Sequence, residues 1–299
     1  MPSSQSKISL WWLAARPKTL PAAAAPVIVG SSVAYFDKVF SLFPALAAFF
    51  GALLLQIAVN LANDYFDAKN QIDSEERLGP VRVTQSGLIP PAHVKLAMVL
   101  TLCLAALVFV YLTYTGGIVI FWVACASVLS ALAYSGGPYP LASHGLGELF
   151  VFIFFGLVAV CGTYWVQAKT LSLPIVMAAI APGLLISAIM VVNNLRDIKT
   201  DAPAGKKTLA VRLGRERTIL LFKTMVIASY ACVPLLAVYF LPFPIFLSFL
   251  TLPLAISVCR EIKNNSGKDL NVTLAKTATL SLFFSLFFAI GIIVSVLTG

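Results

Sequence analysis

Charge is the scarcest commodity in this chain. Of its 299 residues 11% are charged and 60% are hydrophobic, and the mean hydropathy is +0.93. A water-soluble domain carries roughly 25% charged residues, so this chain cannot cover a surface that faces water; its solvent has to be the lipid bilayer. Histidine is nearly absent, with only His93 and His144, and no two of the five cysteines (Cys103, Cys125, Cys161, Cys232, Cys259) form a CxxC. That argues against a disulfide framework or a zinc site. The cysteines lie in or beside apolar runs and read as packing residues. No glycine-rich dinucleotide motif occurs, and neither haem nor flavin is expected. The first apolar run, residues 8–15, is too short for a signal peptide and is followed at once by Arg16 and Lys18. With Trp11 and Trp12 beside those cations, residues 1–19 read as a cytoplasmic interfacial segment.

What the chain does have is long apolar runs. Backbone groups in hydrocarbon must be satisfied internally, which only helices and closed barrels achieve. Continuous rather than alternating apolar runs favour helices. Nine spans are expected, at roughly 20–36, 44–67, 94–114, 117–134, 146–166, 174–197, 219–241, 244–259 and 273–297. The fold class is all-α: a polytopic membrane protein, taken as one transmembrane domain over 1–299. Pro26, Pro182, Pro234 and Pro253 fall inside spans, where a bundle tolerates them.

The net charge of +9 would suggest nucleic acid as a partner for a soluble protein. Here the cations sit at the connections, so no nucleic-acid partner is expected. Three Lys or Arg precede the first span, four lie around the second connection, eight around the sixth and four around the eighth. The opposite side carries only Lys38 and Lys169. The positive-inside rule then places the N-terminus and the 67–94 and 197–219 loops in the cytoplasm and the C-terminus outside, and the membrane is expected to be a bacterial inner membrane.

Two polar clusters interrupt the apolar chain, Asn60-Leu-Ala-Asn63-Asp64-Tyr-Phe-Asp67 and Asn193-Asn194-Leu-Arg196-Asp197-Ile-Lys-Thr-Asp201. Each lies at the cytoplasmic end of an even-numbered span. Asn60, Asp64 and Asp67 fall at i, i+4, i+7, and Asn193, Asp197 and Asp201 at i, i+4, i+8, so each set shares a helix face. The offset from Asn60 to Asn193 equals that from Asp64 to Asp197, 133 residues in both cases. One device is used twice, an echo of an internal duplication. Carboxylates within a membrane are expensive unless a cation joins them. Carboxylate and amide oxygens are ligands that suit Mg²⁺, which commonly completes its shell with phosphate oxygens. The clusters therefore predict a Mg²⁺–diphosphate substrate. Basic loops follow each one, with Arg77 and Arg82 after the first and Lys206 and Lys207 after the second, and glycine beside the cations lets a loop fold closely over phosphate.

Single residues carry less. An isolated aspartate near a helix end is usually a cap or a loop residue; two matched clusters trailed by basic loops ask for more. Arg16 and Lys18 read equally as membrane anchors or substrate ligands. Glu148 reads as a helix N-terminal acid at least as readily as a catalytic one, and Tyr134, Tyr139 and Tyr164 as interfacial belt residues.

Asn63-Asp64-Tyr-Phe-Asp67 and Asp197-Ile-Lys-Thr-Asp201 resemble the paired aspartate motifs of the UbiA superfamily of intramembrane aromatic prenyltransferases, and the resemblance covers the whole chain. Within it, Arg16-Pro-Lys-Thr-Leu, Arg77-Leu-Gly-Pro-Val-Arg82, Tyr134-Ser-Gly-Gly-Pro138, Gly145-Leu-Gly-Glu148 and the stretch from Asn193 to Gly214 look most like the branch that prenylates 1,4-dihydroxy-2-naphthoate. The resemblance implies nine helices around a central cavity, and transfer from a polyprenyl diphosphate to dihydroxynaphthoate with loss of diphosphate and CO₂. On that reading Asp64 and Asp67 hold one Mg²⁺, and Asp197 and Asp201 a second. Asn60, Asn63 and Asn193 serve as oxygen ligands or orienters, Asn63 among the metal ligands, with Asn194 and Tyr134 beside the substrate. Arg77, Arg82 and Lys206 stabilise the leaving diphosphate, and Arg16 or Lys18 steers the acceptor carboxylate.

Two departures stand out. Where many members extend the first motif to a third aspartate this chain has Gln71, and the place where the 4-hydroxybenzoate branch carries Lys-Arg reads Tyr134-Ser-Gly-Gly-Pro-Tyr-Pro. The second argues against hydroxybenzoate; homogentisate, chlorophyllide or haem acceptors and a phytyl donor stay open. A secondary transporter also uses intramembrane carboxylates and repeats, but there they sit at midplane. A phosphatidyl- or phosphosugar-transferase gathers its aspartates in one contiguous set rather than in two copies far apart.

Overall fold

The computed structural model describes residues 6–69, 78–79, 81–238 and 244–298, and every regular element among them is a helix. Helix α1 spans Lys7–Ala15 and is joined to α2, Leu20–Phe36, by a 3₁₀ turn at Pro17–Thr19. There follow α3 (Leu42–Lys69), α4 (Pro91–Gly116), α5 (Ile118–Ser135), α6 (Gly147–Ala168) and α7 (Leu173–Asp201). The last three are α8 (Leu209–Leu236), α9 (Pro244–Asn264) and α10 (Leu270–Thr298). With α1 and α2 taken together, nine described stretches are long and apolar enough to cross a membrane. Helix α3, with 28 residues, is about 42 Å long at 1.5 Å per residue. It overshoots a hydrocarbon core of about 30 Å, so its polar last turns can stand at the interface while its apolar part spans.

The expected spans agree with the helices in number and order, and the differences are local. Helix α8 starts at Leu209, well before residue 219. Its basic first turns break at Gly214, whose φ of 75° is one that glycine adopts without strain. The start of α8 is fixed by Thr208, whose hydroxyl accepts from the Val211 amide at 3.3 Å. Helix α9 opens with a 3₁₀ stretch at Pro244–Thr251, and α6 contains a π-helical stretch at Phe152–Val158.

Burial separates a mast from a skin. The apolar window of α7 is 67% buried and that of α4 only 17%. Ile175, Leu185 and Leu195 of α7 pack with Phe222 and Leu236 of α8 and with Phe284 and Phe288 of α10, all fully buried. Helix α4 presents Leu96, Leu100, Leu104 and Leu107 outward; their four- and three-residue spacing marks one lipid-facing stripe. Helix α5 packs on α3 and α4 and scarcely touches α6, which leaves a seam between α5 and α6 in the wall.

Within lipid there is little hydrophobic drive for helices to meet, so close approach of small residues does the work. Gly156 of α6 and Gly183 of α7 meet so tightly that a Cβ on either would lie 2.8 Å from the other's Cα. This crossing presses the π-helical stretch of α6 onto the mast. Gly183→Leu is therefore expected to destabilise the bundle by about 1–3 kcal/mol, the usual penalty of overpacking. A thermal unfolding midpoint in detergent equal to that of the wild type would show that the crossing is looser than described.

Candidate active site

A cavity of about 440 Å³ runs through the bundle between α2, α3, α5, α6 and α7. Its wall is largely apolar, with Ala52, Leu55, Val123, Phe154 and Val158 among the lining side chains. Leu112, Ile120 and Val166 close it toward the end opposite the polar clusters, where they form a small buried cluster of their own. The polar clusters of α3 and α7 occupy the other end, and the cavity brings Asn63, Asp67, Asn193, Asp197 and Asp201 to one space.

Each carboxylate there has a cation. Asp67 pairs with Arg82, whose Nη1 also donates to the Asn63 carbonyl at 2.5 Å. Asp201 pairs with Lys206 at 3.0 Å. Asp197 receives both arms of Arg196, Nε at 2.8 Å and Nη2 at 2.6 Å. Arg196 is 3% exposed, and the same guanidinium donates to Asn193 Oδ1 and Asn271 Oδ1, each at 2.9 Å. Asn271, at the start of α10, donates in turn to the Leu78 carbonyl at 2.9 Å. Gly79 lies on the guanidinium itself, where a Cβ would stand 2.8 Å from Nη2. One buried arginine thus aligns the α7 cluster and, with Asn271, packs against Leu78 and Gly79.

The amides of the clusters are equally committed. Asn60 Nδ2 donates to the Ala15 carbonyl and to Thr19 Oγ1, both at 2.9 Å, and its Oδ1 accepts from Gln56 at 3.1 Å. It docks the turn between α1 and α2 onto α3. Asn63 Oδ1 accepts from Ser135 Oγ at 2.6 Å, and Tyr134 Oη donates to Met190 Sδ at 3.2 Å. Asn194 lines the cavity and donates to the buried Glu148 at 2.8 Å.

Two expected site residues fall elsewhere, Asp64 and Lys18. Asp64 is 1% exposed and outside the cavity lining. Its two oxygens accept the Val83 and Thr84 amides at 3.0 and 3.1 Å. A carboxylate that takes two backbone N–H donors is an anchor for the chain carrying them, so α3 meets the cavity through Asn60, Asn63 and Asp67 rather than through Asp64. Lys18 is exposed and does not line the cavity, whereas Arg16 does. Arg16 stands at φ 51° just before the 3₁₀ turn, and that left-handed kink separates the two cations. Arg77 lies outside the described residues. Of Tyr134, Tyr139 and Tyr164, only Tyr134 reaches the cavity; Tyr164 donates to Asp37 at 2.5 Å and Tyr139 stacks on His144.

Some contributors were not singled out from the sequence. Arg196 was visible inside its cluster, but nothing there said that it would turn inward. Ser135, Gln56 and Thr19 are ordinary polar residues of apolar segments. Asn271 stands alone, 75 residues beyond Arg196, and only the three-dimensional packing of α10 against α7 gives it a role.

The UbiA prenyltransferase family model matches residues 23–286. The chain belongs to this family. The 1,4-dihydroxy-2-naphthoate octaprenyltransferase of Escherichia coli strain K12 is 35% identical to it over 301 residues, covering 97% of each chain. The protein of the same name from Bacillus subtilis is 30% identical over 98% of this chain and 95% of its own. That from Mycobacterium tuberculosis is 42% identical over 71% of this chain and 73% of its own. Among solved structures, the apo UbiA homolog of Aeropyrum pernix K1 superposes with a TM-score of 0.70 at 19% identity, covering 93% of this chain and 98% of that one. A UbiA homolog of Archaeoglobus fulgidus bound to DMAPP and Mg²⁺ gives 0.67 at 15% identity, covering 95% and 99%. Nine apolar helical stretches among the described residues, together with this family membership, make the chain a multi-pass membrane protein.

The anchor reading of Asp64 is open to test. Asp64→Leu leaves two buried amides without an acceptor, at about 1–3 kcal/mol each, and should release the segment around Val83 and Thr84. Trypsin is expected to cut after Arg82 faster in that variant than in the wild type, and at the wild-type rate in Asp201→Asn. Equal cutting of Asp64→Leu and wild type would remove the anchor.

Proposed function

We propose that the protein transfers a polyprenyl chain from a polyprenyl diphosphate to 1,4-dihydroxy-2-naphthoate, releasing diphosphate and CO₂ and forming the demethylmenaquinone skeleton as its quinol. The observation that carries this reading is the polar end of the cavity. There three carboxylates and their partner cations gather at the mouth of an apolar channel. That arrangement fits an amphipathic substrate with a highly charged head and a hydrocarbon tail. The acceptor is supported by the relatives named for it, similar along nearly the whole chain.

The donor set suits a hard divalent cation. It is all oxygen, from Asp67, Asp197, Asp201 and the Asn63 side chain. Among the described residues no three acidic, histidine or cysteine side chains form a cage by themselves. A cation held by so few protein ligands needs outside oxygens, which is how Mg²⁺ is commonly bound together with phosphate. Bound there, Mg²⁺ would draw charge from the diphosphate and make it a better leaving group. Asp67 and Asn63 on α3 and Asp197 and Asp201 on α7 are the residues that would hold it.

The protein's own groups do the rest. Arg82 and Lys206 stand beside Asp67 and Asp201 and can meet phosphate oxygens as well. As the donor C–O bond breaks, the electrons leave with the diphosphate and an allylic cation remains. The apolar wall keeps water from it. The carboxylate-bearing carbon of the electron-rich ring forms the new C–C bond, and the bond to the carboxylate then breaks, returning its electrons to the ring as CO₂ departs. Arg16, which lines the cavity with Thr19 and Gln56, would receive the acceptor carboxylate. The tail of a long donor leaves through the seam between α5 and α6, where lipid is its solvent. The asymmetry of Lys and Arg supports a cytoplasmic N-terminus and an external C-terminus, and the bacterial relatives support a bacterial plasma membrane.

A product assay on the detergent-solubilised protein tests this. Mg²⁺ and labelled polyprenyl diphosphate with dihydroxynaphthoate should give a prenylated, decarboxylated quinol, abolished by EDTA; 4-hydroxybenzoate should give none. Product from hydroxybenzoate alone would keep the reaction class and overturn the acceptor. Asp67→Asn, Asp197→Asn and Asp201→Asn are each expected to lower kcat at least a hundredfold while the protein remains folded in detergent. Wild-type turnover in any two of them would sink the scheme.

Arg16→Leu separates acceptor from donor. The acceptor KM should rise at least tenfold, the effect of losing a charge-assisted hydrogen bond, with the donor KM unchanged. A rise in the donor KM alone would reassign Arg16 to the diphosphate.

A further inference from the structure

Glu148 is 4% exposed in the first turn of α6, and the scheme above gives it no work. Its carboxylate faces α7. Oε1 accepts from Asn194 Nδ2 at 2.8 Å, and Ser187 Oγ donates to the Glu148 carbonyl at 3.2 Å. Oε2 is buried and has no hydrogen-bond partner among the described residues. Asn194 in turn lines the cavity, and among the described residues only its NH₂ is engaged. With Oε1 accepting from Nδ2, the amide is held with its NH₂ toward Glu148, which leaves the carbonyl Oδ1 for the cavity.

Tyr134 belongs to the same stretch of wall. A Cβ on Gly147, next to Glu148, would lie 3.3 Å from the Tyr134 hydroxyl. That hydroxyl is spent on the sulfur of Met190, a weak acceptor, and a better partner would recruit it. An amide oxygen that accepts and a hydroxyl free to re-aim, set among Phe150, Phe154 and Ile186, suit one kind of ligand group: a hydroxyl on an aromatic ring.

We infer that Glu148 is a positioning residue, fixing Asn194 so that Oδ1 accepts a ring hydroxyl of the aromatic acceptor. The inference rests on the proposed function for the existence of such an acceptor, and it adds the group that recognises the hydroxyl. The hydrogen bond pulls the hydroxyl proton toward Oδ1 and so feeds electron density into the ring at the moment of attack. It also selects, because a ring without the hydroxyl leaves a buried carbonyl unsatisfied, and such mismatches are discriminated strongly.

The experiment measures acceptor KM, donor KM and kcat for the full chain in detergent with Mg²⁺. Glu148→Leu and Asn194→Leu should each raise the acceptor KM about tenfold, one hydrogen bond's worth, with the donor KM unchanged. The double variant should be no worse than Asn194→Leu alone, since both act through one contact. Glu148→Gln should raise the acceptor KM less than Glu148→Leu does, because its amide carbonyl still accepts from Asn194 although its NH₂ also permits the flipped orientation. A donor KM that moves with the acceptor's, additive effects in the double variant, or a loss in E148Q as large as in E148L would overturn the inference. Should E148L fail to fold, inhibition constants decide. Wild type should bind 1-hydroxy-2-naphthoate or 4-hydroxy-2-naphthoate at least tenfold more tightly than 2-naphthoate, and Asn194→Leu should erase that gap; a gap that persists overturns the inference. A wild type inactive on dihydroxynaphthoate would defeat the proposed function alone. The same ratios would then be read on whichever hydroxylated acceptor it prenylates, 4-hydroxybenzoate or homogentisate.

Discussion

A carboxylate at the mouth of an apolar channel must be neutralised, and the architecture of the site follows from that requirement. Asp67 takes Arg82, Asp197 takes Arg196 and Asp201 takes Lys206. Each pairing pulls a connection over the cavity. Arg82 brings the segment that precedes α4, and Lys206 brings the turn that precedes α8. Arg196 does the same indirectly through Asn271 and the Leu78 carbonyl. The cover of the site is thus held by charges that the site itself presents. A ligand carrying both dications and phosphates can satisfy both halves of each pair, with carboxylates turning to metal and cations to phosphate. Neither half is then left uncompensated in a medium where isolated charge is costly.

The same requirement explains how much could be read from the sequence. Helices, their number and their order follow from hydropathy alone, because lipid leaves the backbone few alternatives. The two clusters were legible because polar residues in an apolar chain need a reason. Arg16 over Lys18 was not legible, since the choice depends on a left-handed residue within a short turn. Nor was the early start of α8. Its first turns are basic and broken at Gly214, so hydropathy sees only the part beyond. Asn271 is the clearest case of what sequence withholds. It is one asparagine at the head of an apolar helix, and its meaning lies in what α10 happens to pack against.

The internal repeat shows where pattern and use part company. The equal offsets of Asn60 to Asn193 and Asp64 to Asp197 suggest equal roles. In the structure Asp197 faces the cavity, whereas Asp64 holds the Val83 and Thr84 amides. The difference follows from what comes next in the chain. After α7 the connection to α8 is a handful of residues, closed by Lys206 on Asp201 and by the Lys207 amide on the Ser143 carbonyl at 2.7 Å. After α3 some twenty residues precede α4, and a connection of that length has to be tied down if Arg82 is to stand at a fixed place. Asp64 supplies the tie. Two backbone amides on one carboxylate fix both position and direction of the segment, which a salt bridge between long side chains would not. Asp67, one turn further on, faces the cavity.

The acceptor side obeys a different rule. The donor's head is recognised by charge, which is strong but indifferent to orientation, and the tail by apolar area, which is not directional at all. Orientation of the aromatic ring must then come from hydrogen bonds whose own geometry is set before the ring arrives. An asparagine side chain free to rotate would offer its NH₂ as readily as its carbonyl. Glu148 removes that freedom, and it does so from a position where water does not compete. A buried acid with one oxygen unpartnered among the described residues is an odd element of a membrane bundle if stability is its only purpose, because a leucine there would pack without that penalty. Its presence makes sense as the fixed point against which Asn194 is held, so that a site built largely of grease and charge still presents one directed contact to the ring.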